Sequence, residues 1–182
     1  MTAPTDKPTG GDGRPARRDR AGGPSPRRAA RLSAVQALYQ MNLSQVDVET
    51  VIGEFVGHRL GREIDGESYG QPDPILFADL VRGVVAAGDD LDNMIAAVLD
   101  EDWTVERLET ILRAVLRAGA YELSSRPDMP PRVTISEYVD VADAFLGAKQ
   151  AALVNGVLDR IARALRPDEL EAPYGGPAAV TP

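Results

Sequence analysis

Residues 27–43, RRAARLSAVQALYQMNL, decide the fold class. Leu32, Val35, Leu38, Tyr39 and Leu43 recur at three- and four-residue spacing, the period that lines one face of an α-helix. Ala30, Ala34, Ala37 and Met41 make much of the remaining circumference apolar, and only Ser33, Gln36 and Gln40 leave a polar strip. A helix that is apolar over most of its surface is buried on several sides. The stretch therefore predicts a central helix packed among others.

Six more segments repeat that period downstream. The second opens at Ser44-x-x-Asp47, read as a capping box with a short acid in place of glutamate, and carries Val48, Val51, Ile52, Phe55 and Val56 to an end near Arg62. A polar loop, EIDGESYGQPD (63–73), follows. The third has Asp73 as N-cap and Pro74 in the first turn, where a missing N–H costs nothing. Phe77, Leu80, Val81 and Val84 form its stripe, Gly88-Asp89 breaks it, and Leu91, Met94, Ile95 and Val98 mark a fourth. The fifth begins after Trp103-Thr104. It sets Leu108, Ile111, Leu112, Val115 and Gly119 against an outer stripe of Glu106, Thr110, Arg113, Arg117 and Tyr121. Pro127, Pro130 and Pro131 end it, and the capping box Thr134-x-x-Glu137 predicts the start of a sixth that stops at Gly147. The seventh runs from Lys149 to Leu165, with Pro167 as its limit. No strand pattern and no internal repeat stands out, so the fold class is all-α.

The flanks differ. Residues 1–25 hold Pro4, Pro8, Pro15, Pro24 and five glycines with few large apolar groups, and 167–182 (PDELEAPYGGPAAVTP) are similar. Such segments bury too little surface to offset their ordering entropy. Disordered tails over 1–25 and 167–182 around a helical domain at 26–166 are expected.

Charge divides along the same line. Lys7, Arg14, Arg17, Arg18, Arg20, Arg27, Arg28 and Arg31 against Asp6, Asp12 and Asp19 give the first 31 residues +5; the other 151 carry −13, for a net −8. A basic arm on an acidic body often marks contact with a polyanion, although a solvated tail reads the same way.

Composition excludes much chemistry. There is no cysteine and a single histidine, His58, so no disulfide framework and no common N/S metal site are expected. Asp89, Asp90, Asp92, Asp100, Glu101 and Asp102 read as a solvated rim rather than a paired acid and base. TGGDGRP (9–15) lacks the Gly-Lys-Ser/Thr of a phosphate loop, and no dinucleotide fingerprint is present. No catalytic residue and no cofactor is expected. The apolar runs fall short of the roughly 20 residues that span a bilayer, and no apolar segment follows the basic N-terminal residues. A soluble cytoplasmic protein, with no membrane partner, is the expectation.

What remains is a surface. Arg27, Arg28 and Arg31 sit in the first turns of a helix, where cations oppose the macrodipole and so do not serve helix stability. Guanidiniums can pair with phosphates bidentately. Arg28 and Tyr39 are 11 residues apart, which places them within about 20° around the helix and roughly 16 Å along it. Tyr39 can stack on an unpaired base, or serve as a core tyrosine with its hydroxyl at the rim.

Three blocks carry a family resemblance: ARLSAVQALYQMNLS (30–44), RAVLRAGAYEL (113–123) and LVNGVLDRIAR (153–163), joined by the connector RPDMPPRVTISEYVDVA (126–142). In order and spacing they resemble the NusB family over roughly residues 27–166. The resemblance implies two small antiparallel helical bundles. It also implies binding of the single-stranded boxA element of ribosomal RNA leaders together with NusE, a small-subunit ribosomal protein, within an antitermination complex on RNA polymerase. It implies RNA contacts at Arg27, Arg28 and Arg31, with Lys149 added, and a partner-facing side at Tyr39, Glu106 and Arg113. Asn155 and Gly156 match the family motif and are read as helix packing. Leu153 departs from the pattern, standing where many relatives carry an aromatic, and Ala29 interrupts the arginine run.

Two other readings compete. A protein-only helical adaptor would leave the basic arm incidental, and its apolar partner surface could serve a homodimer. NusB-like domains are also fused ahead of RNA cytosine methyltransferase domains. No glycine-rich cofactor motif follows residue 166, so binding of S-adenosylmethionine is not expected.

Overall fold

The computed structural model of the chain describes residues 25–59, 72–99 and 103–171, and among them all regular structure is helical. The expected arm over 1–24, the second helix's end near Arg62, the loop over 63–71, the acidic residues 100–102, the His58 side chain and the tail from 172 lie outside the described residues.

Helix α1 spans Pro26–Ser44, capped by the Ser25 hydroxyl, which accepts from the Arg28 N–H. Its end is set by Gln45, whose φ of 53° turns the chain left-handed. Helix α2 spans Val48–Glu54. The expected capping box at its start is not formed. Asp47 alone caps it through the N–H groups of Glu49 and Thr50, while the Ser44 hydroxyl bonds back to the Gln40 carbonyl. A π-helical turn over Phe55–Arg59 follows and stacks Phe55 on Phe77, with centroids 5.5 Å apart.

Helix α3 (Pro74–Ala86) has the expected Asp73 cap, and α4 (Gly88–Ala96) is separated from it by one residue, Ala87. A 3-10 turn, Val105–Arg107, leads into α5 (Thr110–Ser125). Glu106 thus stands in the turn before α5 and not on the helix itself. Helix α6 (Pro131–Leu146) begins three residues before the expected box. Pro131 occupies its first position, where the locked φ favours the helix, and Thr134 is buried inside it. Gly147, at a φ of 86°, ends α6 in a conformation that costs other residues strain. Helix α7 is Ala148–Leu165.

A short helix α8, Pro167–Glu171, occupies what the sequence reading assigns to a disordered tail. Pro167 starts it, Arg166 pairs with Glu169, and Leu170 is buried in the core. The Arg132 guanidinium of α6 also donates to the Leu170 carbonyl, tying the turn down.

Helix α5 is the most enclosed element, packed by α1, α3, α4, α6 and α7. Gly119 lets α7 approach, since a Cβ there would meet Leu158 Cδ1 at 2.7 Å. On the expected outer stripe of α5, Glu106 and Thr110 are exposed and Arg113, Arg117 and Tyr121 are half-buried. Arg117 is engaged bidentately by Asp92 of α4, and Tyr121 donates to Asp79 of α3.

Candidate nucleic-acid interface

The three arginines of α1 have three different fates. Arg27 is exposed and donates to Met129 Sδ, at 3.3 Å. Arg28 is half-buried, and its Nη2 lies 2.7 Å from Asp140 Oδ2. Arg31, expected to touch RNA, is 2% exposed. Its Nε and Nη2 donate to the two oxygens of Glu122 at 3.0 and 2.5 Å, and its Nη1 reaches Glu137 at 3.4 Å. Arg31 is therefore corrected from an RNA contact to a core tie between α1, α5 and α6.

The reason is helical phase. Arg31, Val35 and Leu38 fall on one face of α1, and that face is buried. Glu122 likewise continues the buried line of Leu112, Val115 and Gly119 on α5 and is itself 0% exposed. A charge on an apolar stripe needs a partner, and each supplies the other. The Tyr138 hydroxyl donates to Glu122 Oε2 at 3.0 Å. Burial, then the negative charge of Glu122, push the Tyr138 phenol well above its usual range. Burial alone would lower the Arg31 pKa, but the hydrogen bond and charge of Glu122 outweigh it and leave it raised. The sequence reading gives Glu137 a capping role and assigns no role to Glu122 or to the Tyr138 hydroxyl, although the position of Glu122 on the apolar stripe is a usable signal.

Register places the remaining candidates. Arg28 and Arg31, one turn apart on α1, meet Asp140 and Glu137, one turn apart on α6 in reverse order. The two helices run antiparallel there, which directs the C-terminal end of α6 towards the N-terminal end of α1. Lys149, exposed at the second position of α7 just past Gly147, is carried to that same end. It makes no ion pair among the described residues, whereas Arg28 does.

Helices α1 and α5 are also antiparallel, because Arg27 meets Met129 and Arg31 meets Glu122. Moving from Arg31 to Tyr39 covers about 12 Å, and from Glu122 back to Arg113 about 13 Å. Tyr39 and Arg113 thus share the end of the molecule away from Arg27 and Arg28. Glu106 lies in the turn leading into α5 at that end. Tyr39 is 36% exposed, on the rim rather than in the core. Arg113 is half-buried and Glu106 exposed, and neither forms an ion pair among the described residues. The sequence candidates therefore divide into a cationic end (Arg27, Arg28, Lys149) and an opposite end (Tyr39, Glu106, Arg113).

No group of three or more metal-ligating side chains occurs among the described residues. No described helix is long and apolar enough to cross a membrane.

These features define an all-helical scaffold whose buried charges tie helices together and whose sequence-predicted site residues divide between two helix ends. The chain belongs to the NusB family, whose profile matches residues 28–163. A transcription antitermination protein NusB from Bradyrhizobium diazoefficiens is 50% identical over 143 residues, covering 79% of this chain and 87% of the relative. One from Rhizobium johnstonii is 49% identical over 140 residues, covering 77% and 88%. Among solved structures, T. maritima NusB superposes with a TM-score of 0.67 at 29% identity, over 81% of this chain and 99% of that one. A chain from the crystal structure of antitermination factors NusB and NusE in complex with dsRNA gives 0.64 at 25% identity, over 76% and 97%.

Proposed function

We propose that this chain is a transcription antitermination factor of the cytoplasm that binds boxA RNA together with NusE, helps RNA polymerase resist termination and catalyses no reaction. The observation that carries the reading is the pairing of relatives at about half identity, all named as antitermination proteins, with a group of exposed and half-buried cations at one end of this chain's own fold. The similar fold found with NusE and dsRNA supports the choice of partners.

Arg27, Arg28 and Lys149 take the RNA backbone, and Tyr39, Glu106 and Arg113 serve the protein partner. The two ends are separate, so the chain can hold both at once. The body is acidic, so RNA affinity of the isolated chain is modest, and a basic ribosomal protein offsets the repulsion. Fluorescence polarisation of a boxA RNA against a scrambled control, with and without NusE, tests this. Selective binding that tightens with NusE is expected. For three to five phosphate contacts the log–log salt slope should be roughly −2 to −3.5. Equal weak binding to both RNAs, unchanged by NusE, refutes the proposal. Binding of NusE without RNA would favour the protein-only adaptor.

A further inference from the structure

Arg28 is the arginine of the cationic end that already has an ion-pair partner. Its Nη2 lies 2.7 Å from Asp140 Oδ2, and the two side chains are 38% and 45% exposed. An RNA phosphate approaching Arg28 finds the guanidinium engaged by a carboxylate of like charge to itself. Arg27, its neighbour, has no such partner on α6, and Lys149 has no ion pair among the described residues.

We infer that Asp140 sets the RNA affinity of this surface, by holding Arg28 in an ion pair that an RNA phosphate must break. The inference rests on the RNA-binding reading above and adds a residue that opposes it. Binding exchanges one ion pair for another, so the first contributes nothing to affinity. The released Asp140 carboxylate then lies beside the phosphate and takes up a cation from solution. That uptake cancels part of the counterion release that drives association. The wild-type chain should therefore show a shallower salt dependence than its count of cations suggests.

The test is a polarisation titration of boxA RNA with the full chain at several salt concentrations. It uses Asp140→Asn, Arg28→Gln, the double variant, and Asp143→Asn. Asp143 is exposed one turn further along α6 and forms no ion pair among the described residues, so its removal reports only the change in net charge. Circular dichroism of each variant checks that the helices are intact. Asp140→Asn should bind RNA about two- to fivefold more tightly at low salt, the range that an exposed pair supports. Its salt slope should steepen by up to about 0.7. In the Arg28→Gln background the gain should vanish, because there is no pair left to break. An equal gain in that background, or the same gain from Asp143→Asn, would reduce Asp140 to one more negative charge and overturn the inference. No gain from Asp140→Asn would overturn it too. RNA binding by none of the proteins would remove the RNA reading itself, a result distinct from a wild type that binds and a variant that binds no better.

Discussion

Replacing Arg31 with alanine separates a structural role from an RNA-contacting one, because the two predict opposite results. The substitution leaves Glu122 charged at 0% exposure, with the Tyr138 hydroxyl its remaining hydrogen-bond donor among the described residues. Breaking a buried ion pair from one side costs about 3–5 kcal/mol, since the surviving charge is uncompensated. Domain stabilities run to about 5–15 kcal/mol. For a urea m-value of about 2 kcal/mol per M, the midpoint should therefore fall by about 2 M. Urea titration followed by circular dichroism measures this directly. Replacing Arg31 with methionine, Glu122 with leucine and Tyr138 with phenylalanine together removes both charges and the hydroxyl that would otherwise lose its acceptor, and should recover most of the loss. An unchanged midpoint with reduced RNA affinity would refute the burial argument and return Arg31 to the surface.

Thr134 buries a hydroxyl with no hydrogen-bond partner among the described residues; Thr134→Val should stabilise the fold by about 1 kcal/mol, seen as a rise of a few degrees in Tm by calorimetry. Glu106→Lys and Arg113→Glu reverse charge at the end remote from Arg27. They should weaken NusE capture in a pull-down while leaving RNA binding by the isolated chain within twofold, and an equal loss of both would show that the two ends are not separate. Deleting residues 1–24 removes Lys7, Arg14, Arg17, Arg18 and Arg20. Polarisation should then show weaker RNA binding and a flatter salt slope, and unchanged values would make the arm incidental.

The sequence showed the helices well because the apolar period is a global signal, repeated many times along each element. Their starts were harder, and the prolines show why. Pro26, Pro74, Pro131 and Pro167 all open helices. Only Pro74 was read that way, because it alone followed an aspartate cap. A proline stops the helix before it and favours the one after it for the same reason, its fixed φ and missing N–H. Local sequence does not say which effect rules. Thr134 and Glu137 mimic a capping box, but Pro131 starts the helix a turn earlier and Glu137 turns to Arg31 instead.

Arg31 reads wrongly from the sequence for a different reason. A cation at a helix start looks equally available at every position, until the depth of each turn against its neighbours is known. Arg27 and Arg31 share a face of α1, four residues apart, but Arg31 lies against Glu122 inside the fold and Arg27, one turn nearer the helix start, is exposed.

That division bears on how strongly the chain can bind RNA alone. With Arg31 committed inside and Arg28 held by Asp140, the cationic end is left with Arg27 and Lys149, beside the exposed Asp143 and an Asp128 that already pairs with Arg126. Little net positive charge remains there, and a weakly charged surface neither steers nor holds a polyanion firmly. Two sources could tip it: the basic residues ahead of α1, and a basic partner protein. They leave different signatures. The arm is present in the isolated chain and adds to its salt slope, whereas a partner adds contacts only in the pair. A steep slope for the isolated chain would therefore place the missing charge in the arm. A shallow slope that steepens when NusE is added would place it in the partner.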